Sequence, residues 1–342
     1  MQLDDLIVYF RGEFVPYGSA KLGLLTHALQ YGTGCFEGIR AFWNADAEQL
    51  YVFEPLAHYR RLRRSAGVLL MSPVPSPQRL SEVTAELCRR NGFRSDVYIR
   101  PFIFKSDETF GIRLDGIGDD LAIVAFSNDR YFDNDDGQRL CVSSWRRIDD
   151  NAVPARAKVT GSYVNVALAK SEARLNGFDD AIVLGEDGHI SEASAANAFL
   201  VRDGVVTTPG VSQNLLEGIT RALIARLISQ ELGLTLDERQ VDRSELYGAD
   251  EIVLCGTGVG VAWVKSIDHR PVGDGRLGPV ASRLRTLYDD ITRGRLTIPG
   301  VEARAVYPSA AQLAQRVAQL PHADANFARG RYAEAEHEAA RP

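Results

Sequence analysis

The chain has 342 residues and a formal net charge of −6, and 45% of its residues are hydrophobic and 25% charged. This composition is typical of a globular protein of about two domains, and it excludes disordered, collagenous and coiled-coil chains. The acidic balance argues against a nucleic-acid partner or an anionic membrane surface. No apolar stretch approaches the roughly 18 residues that a membrane helix needs.

The cysteines and the N-terminal segment favour a reduced, cytoplasmic protein. The four cysteines are far apart and form no CxxC pair, which disfavours a zinc site or a disulfide framework. The N-terminal segment carries acidic residues before its first apolar run, unlike a secretory signal. The six histidines show no metal-ligand spacing, so we expect no metal site.

Residues 1–126 are predicted to form a small α+β domain. Alternating apolar residues on both sides of an Arg-Gly pair predict a hairpin over 5–17. Further along, the predicted strands are 49–54, 97–104 and 121–126, and the predicted helices are 55–70 and 77–91.

A polar stretch over 127–138 is the predicted interdomain connection, and residues 139–296 form a larger predicted domain. Its predicted strands are 139–144, 180–184, 197–202, 205–208, 251–254 and 261–267, and its predicted helices are 161–176, 217–233 and 277–294. These strands and helices do not alternate in a strict βαβ order, which favours a mixed sheet. Residues 297–342 are expected to be a helical or frayed C-terminal extension, with an amphipathic helix over 305–319.

Lysine is scarce, with five residues against 34 arginines, so lysine chemistry has few candidate sites. The five are Lys21, Lys105, Lys158, Lys170 and Lys265. Lys158 lies between a proline-marked loop and a predicted helix, beside small residues that leave room for a bulky ligand. The alternative explanation is an ordinary loop lysine.

Three further segments carry groups that bind anions or need a partner. Residues 217–221 open an apolar helix, whose first N–H groups are unpaired and attract anions. Residues 255–260 place glycines after an apolar strand, where backbone amides can converge on an anion. Glu192 lies among small residues before an apolar strand and needs a partner. The alternative for each of the first two segments is a plain turn, and the alternative for Glu192 is a surface salt bridge.

Tyr98 and Arg100 share one face of a predicted strand, because side chains alternate along it. Such a pair suits a carboxylate or a phosphate, and the alternative is one exposed face of a sheet. The chain has no Gly-x-Ser-x-Gly elbow, so we do not expect a serine hydrolase.

The order of these segments is more informative than any one of them. Along the chain follow HALQYGTGCFEGIRAF, HYRRLRRSA, VYIRP, AKVTGSY, ISEASAANAF, LLEGITR and GTGVG. From about residue 3 to 290, this series resembles the class IV (branched-chain-type) aminotransferases, which use pyridoxal 5′-phosphate (PLP). The resemblance implies the fold type IV architecture, an α/β (α+β) chain with a small N-terminal domain and a larger mixed-sheet domain. It also implies a homodimer.

The resemblance assigns the cofactor residues by position. Lys158 matches the lysine that the family bonds to PLP, and Glu192 matches the carboxylate at the pyridine nitrogen. Tyr163 matches the tyrosine near the phenolic oxygen, and Leu216 matches the leucine packed on the ring. The positions that match phosphate contacts are Arg61, Ile219, Thr220 and Thr257. Since PLP is an electron sink, the protein's task is to hold and tune it, with Lys158 as general acid and base.

The substrate residues are assigned in the same way. Tyr98 and Arg100 match the Tyr-x-Arg pattern of the branched-chain L-amino acid branch. Tyr31 and Phe36, with Tyr163, would line an apolar pocket for the substrate side chain. The residues that would offer backbone amides to the α-carboxylate are Thr257, Gly258 and Val259.

The chain also departs from the branched-chain pattern. Gly258 and Val259 replace the usual alanines, and Gly260 and Ala196 stand where glutamates are usual. We expect an aminotransferase that moves the amino group of branched-chain L-amino acids to 2-oxoglutarate by a ping-pong mechanism through Lys158. The alternatives are a D-amino acid or (R)-amine transaminase, an aminodeoxychorismate-type lyase, and a non-catalytic protein on the same fold.

Overall fold

The structure is a computed structural model that describes residues 5–128 and 136–308. These residues contain six α-helices: α1 (His27–Tyr31), α2 (Pro55–Val68), α3 (Pro77–Arg90), α4 (Tyr163–Leu175), α5 (Ile219–Gln230) and α6 (Pro279–Thr292). None of the helices in the described part of the chain is both long and apolar enough to cross a membrane.

The same residues contain seventeen strands. They are β1 (Ile7–Phe10), β2 (Glu13–Pro16), β3 (Gly34–Phe36), β4 (Ile39–Asn44), β5 (Gln49–Phe53), β6 (Val97–Lys105), β7 (Asp119–Ser127), β8 (Gln138–Arg146), β9 (Asp180–Leu184), β10 (Ile190–Ala193), β11 (Asn197–Arg202), β12 (Val205–Pro209), β13 (Thr235–Arg239), β14 (Glu251–Gly256), β15 (Gly260–Ile267), β16 (Arg270–Pro271) and β17 (Ala303–Ala305).

Two sheets organise these strands. The first has the order β17-β5-β4-β6-β7-β1-β2, with β3 also paired to β6, and its pairs are antiparallel. The second has the order β10-β9-β8-β15-β14-β11-β12-β13, with β16 paired to β15. In the second sheet β8 runs parallel to β9 and β15, and β12 parallel to β13. The prediction of a mixed sheet in an α+β chain is confirmed.

Local sequence explains many of the element boundaries. Pro55 and Pro77 occupy first-turn positions of α2 and α3, where the missing N–H has no cost. The Ser76 side chain accepts a hydrogen bond from Arg79 N and caps α3. Asp203 and Gly204 have φ values of 49° and 77°, as the two-residue turn between β11 and β12 requires.

A large apolar cluster joins α5 and α6 to one face of the second sheet. Leu227 and Leu284 of the helices pack there with Phe199 and Val253 of the strands, all fully buried. Leu140, Ile182 and Leu254 belong to a separate buried cluster on other strand positions. These clusters fix the strand ends and helix starts that carry the site.

Sequence reasoning missed the short elements around residues 27–44. α1, β3 and β4 lie in a glycine-rich segment whose hydrophobic pattern is too short to indicate a period. β17 is a second difference, because residues 303–305 pair with β5 instead of forming a helical or frayed extension. The rest of the predicted helix over 305–319, beyond residue 308, lies outside the described residues. So do residues 129–135 of the predicted connection.

Candidate active site

One cavity collects groups from the β3–β4 segment, β6, α2, and the starts of α4 and α5. The predicted site residues that line it are Phe36, Arg61, Tyr98, Arg100, Lys158, Tyr163, Glu192, Leu216, Ile219, Thr220, Thr257 and Gly258. These residues are distant in sequence, and the fold brings them together.

Lys158 lines the same cavity. Its Nζ donates a hydrogen bond to Tyr163 Oη at 2.6 Å and lies 5.2 Å from the ring centroids of both Tyr163 and Phe36. The other four lysines do not line this cavity. Lys105 is buried, but it pairs with Asp119 at 2.9 Å. Lys158 is therefore the lysine placed to react with a ligand here.

The backbone of Lys158 is held by α2 and β3. Lys158 N donates to Ser65 Oγ at 3.0 Å, and Lys158 O accepts from Phe36 N at 3.1 Å. Ser65 follows Arg61 by four residues, so one face of α2 positions both the lysine and the arginine.

Glu192 also lines the cavity, and we call this part its anionic end. Its Oε1 lies 3.1 Å from Arg147 Nη2, and its Oε2 accepts from Asn197 Nδ2 at 3.0 Å and Leu216 N at 3.3 Å. Burial raises the pKa of Glu192, and the charge of Arg147 opposes that rise. The carboxylate would therefore gain from a further cation, such as a protonated ring nitrogen.

Arg61 lines the cavity beside the start of α5, and we call this part its cationic end. Its Nε and Nη2 donate to the two carboxylate oxygens of Glu37 at 2.6 and 2.7 Å. Its Nη1 donates to Glu217 O at 2.8 Å, just before α5 begins. Ile219 and Thr220 are the first residues of α5, where N–H groups and the helix dipole favour an anion. This end of the cavity is therefore suited to a phosphate, and Thr257 lines the same cavity.

The side of the cavity that faces β6 carries the predicted substrate residues. Arg100 Nη2 donates to Tyr98 Oη at 2.7 Å, and the Arg100 guanidinium lies 4.3 Å from the centroid of the Phe36 ring. A Cβ at Gly38 would clash with Tyr98 Oη, so a larger residue at this position would displace the tyrosine hydroxyl. A smaller adjoining pocket shares Tyr98, Arg100 and Gly258. Aromatic faces and a cation thus lie side by side.

Two predicted substrate residues, Tyr31 and Val259, do not line the cavity, and their substrate roles stay predictions. Tyr31 ends α1, where Gly32 (φ 66°) turns the chain, and its ring packs against His27 with centroids 4.7 Å apart. Val259 is half-buried against the apolar cluster of the second sheet. Packing therefore directs both side chains elsewhere.

Sequence reasoning missed several residues that support the site. Arg147 and Asn197 hold Glu192, and Glu37 and His58 lie behind Arg61. One signal was available for Glu37, because a carboxylate inside an apolar run needs a buried partner. The identity of that partner, 24 residues away, was not readable from the sequence.

The donor set fits PLP. One cavity is lined by an amine that can bond to an aldehyde, by a cationic, amide-rich part and by a carboxylate. PLP carries a phosphate, an aldehyde and a basic ring nitrogen, which are the groups that these three positions complement.

The chain belongs to the class IV aminotransferases, since the sequence pattern of the family "Amino-transferase class IV" matches residues 34–267. It is therefore a transaminase, and the predictions of the family and of its PLP cofactor are confirmed.

Similar proteins carry a narrower description. The probable branched-chain-amino-acid aminotransferase of Aquifex aeolicus is 42% identical over 288 residues, which cover 84% of this chain and 93% of that protein. The branched-chain aminotransferase of Thermoproteus uzoniensis, solved with norvaline, is 37% identical with a TM-score of 0.83, covering 88% and 99% of the two chains. The branched-chain amino acid aminotransferase of Thermobaculum terrenum, solved in its PLP form, is 31% identical with a TM-score of 0.84, covering 90% and 100%.

Proposed function

We propose that this enzyme transfers the amino group of branched-chain L-amino acids to 2-oxoglutarate by a ping-pong mechanism through Lys158. The observation that carries the proposal is the hydrogen bond between Lys158 Nζ and Tyr163 Oη, in one cavity that Arg61 and Glu192 also line. The similar enzymes support the substrate class, and they do not favour the D-amino acid, (R)-amine or lyase alternatives.

The cofactor would be held at three positions. Arg61, with the first turn of α5 and Thr257, would hold the phosphate, Glu192 would keep the ring nitrogen protonated, and Lys158 would bond to the aldehyde carbon. Bound PLP supplies an electron sink for the pair left on the substrate Cα.

The chain's own groups would then move the proton. Lys158 Nζ would take the proton from the substrate Cα as a general base. Tyr163 Oη lies within hydrogen-bond distance of Nζ and holds it at that place. The half-buried position of Lys158 limits the access of water to the reacting atoms.

The substrate would be recognised by the β6 side of the cavity. Phe36 and Tyr163, whose ring centroids are 4.7 Å apart, offer an apolar wall to a branched side chain. Arg100 and the backbone amides at Thr257 and Gly258 offer donors to carboxylate groups. The same arrangement would accept 2-oxoglutarate as the amino acceptor.

A half-reaction panel tests this assignment. The PLP-loaded enzyme is mixed with L-leucine, L-valine, D-alanine or (R)-1-phenylethylamine, and the change in cofactor absorbance is followed. We expect the two L-amino acids to react fastest. A faster reaction with D-alanine or the amine would contradict the substrate class, and a wild type that stays colourless with PLP would contradict every PLP function.

We also propose a cytoplasmic homodimer. Leu29 of α1 and Leu24 before it are 63% and 85% exposed, and Phe110 and Ile112 of the neighbouring loop are 75% and 83% exposed. The two segments adjoin, since His27 N donates to Asp107 O at 2.9 Å, and so much exposed apolar surface favours a second copy as its cover. Light scattering should give twice the chain mass, and Phe110→Ser with Ile112→Ser should give the monomer.

The four buried, unbridged cysteines fit the proposed cytoplasmic location, because the cytoplasm is a reducing compartment.

A further inference from the structure

A fully buried carboxylate lies behind the arginine that faces the cofactor cavity. Glu37 is 0% exposed, between β3 and β4, and does not line the cavity. Both of its oxygens accept from Arg61, from Nε at 2.6 Å and from Nη2 at 2.7 Å. The geometry is bidentate, which fixes the plane of the guanidinium as well as its position.

We call the bidentate contact between Glu37 and Arg61 the clamp. The hydrogen bonds of Arg61 show which of its N–H groups the clamp leaves available. A guanidinium has five N–H donors. Glu37 takes one from Nε and one from Nη2, and Glu217 O takes one from Nη1. One N–H therefore remains on each terminal nitrogen, and Arg61 itself lines the cavity. These two N–H groups are the donors that remain for charge-assisted hydrogen bonds to a phosphate.

His58 completes the clamp from the same helix. It lies one turn before Arg61 on α2, and its Nδ1 is 2.8 Å from Glu37 Oε2. Burial lowers the pKa of His58, so the ring is neutral and Nδ1–H donates to the carboxylate. The charged groups that act on His58 are Glu37, Arg61 and Lys158. His58 therefore orients Glu37 without adding a charge.

We propose that Glu37, oriented by His58, is a positioning residue that holds Arg61 ready for the cofactor phosphate. The inference rests on the proposed function. A flexible arginine would lose side-chain freedom when phosphate binds, and the clamp has already fixed it. The contribution of Glu37 to the affinity for a ligand should therefore depend on the ligand's phosphate and not on its pyridine ring.

The test compares two ligands that differ only in the phosphate. Apoprotein is titrated with PLP and with pyridoxal, and each dissociation constant is followed by absorbance. For Glu37→Gln we expect PLP to bind about tenfold more weakly or worse, as for a lost charge-assisted hydrogen bond, while pyridoxal binding changes by less than about twofold. Glu37→Asp should restore part of the PLP affinity, and His58→Asn should give a smaller phosphate-specific loss.

Asp119→Asn is the matched control, because it removes the carboxylate from another buried ion pair, with Lys105 at 2.9 Å, that does not line the cavity. It should leave the affinities for PLP and pyridoxal unchanged. Equal weakening of both ligands by Glu37→Gln, no change in either, or tighter PLP binding would each overturn the inference. If Glu37→Gln does not fold, the His58→Asn titration decides by the same criterion. Failure of the wild type to bind PLP would instead contradict the proposed function.

Discussion

The two ends of the cofactor cavity are built from the same pair of residue types in opposite arrangements. At one end the arginine, Arg61, faces the cavity, and its glutamate, Glu37, is hidden behind it. At the other end the glutamate, Glu192, faces the cavity together with its partner Arg147. Both carboxylates are buried, yet the direction of their pKa shifts differs.

The difference follows from how completely each carboxylate is satisfied. Burial raises the pKa of Glu37, but the charge and hydrogen bonds of Arg61, with His58, outweigh it and hold the pKa well below its usual range. Glu192 has one arginine at 3.1 Å, and burial keeps its pKa raised. A glutamate–arginine pair can thus serve either as a support, when the carboxylate is fully compensated, or as a binding site, when the carboxylate can still accept a cation.

The largest expected effect comes from the lysine that lines the same cavity as the two ends. Lys158→Ala should lower turnover by at least about 10²–10⁴-fold, because the general base is lost. The absorbance of lysine-bound PLP should disappear in the same variant, while both ends still hold the ligand. Lys265→Ala, an exposed lysine outside the cavity, is the control and should behave as wild type. Normal turnover in Lys158→Ala would contradict its role.

Removing the negative charge at the anionic end should slow the reaction. Glu192→Gln keeps the shape of the side chain and removes the charge that would keep the ring nitrogen protonated. We expect kcat to fall by roughly 10²-fold, the scale of losing one preorganised electrostatic contact. The dissociation constant for PLP should change much less. A variant with unchanged kcat would mean that Glu192 does not tune the ring nitrogen.

Removing the positive charge at the cationic end should instead weaken the binding of PLP. Arg61→Gln removes charge-assisted hydrogen bonds worth about 1.5–3 kcal/mol, so PLP should dissociate about 10- to 100-fold more readily. At saturating PLP the kcat should stay near the wild-type value. If kcat fell and affinity held, the roles assigned to the two ends would be reversed.

The smallest effect should appear in the pH dependence of stability. His58 has a lowered pKa in the folded apoprotein, so the stability linked to it is present above about pH 6.5 and is lost as pH falls. Glu37 adds a second loss at lower pH, below its ordinary 4.5. Urea unfolding should show a slope of up to about 1 kcal/mol per pH unit below pH 6.5 that His58→Asn reduces. Identical slopes in the two proteins would rule out this linkage.

Much of the fold and site was predictable, for identifiable reasons. Helices such as Pro55–Val68 carry their own start signals and apolar period, and hairpins such as that at Asp203-Gly204 carry their own turn residues. The order of motifs pointed to Lys158, Glu192 and Arg61, which the fold brings into one cavity, while their roles stay predictions. The supports Glu37 and Arg147 were not predicted, because each contact joins segments that only the tertiary fold brings together.

The opposite polarity of the two ends is tested most directly by a crystal structure with pyridoxamine 5′-phosphate. We expect the phosphate oxygens within hydrogen-bond distance of Arg61 and the first amides of α5, and the ring nitrogen within hydrogen-bond distance of Glu192. A ligand bound in the reverse direction, with its phosphate beside Arg147, or bound outside this cavity would contradict the account.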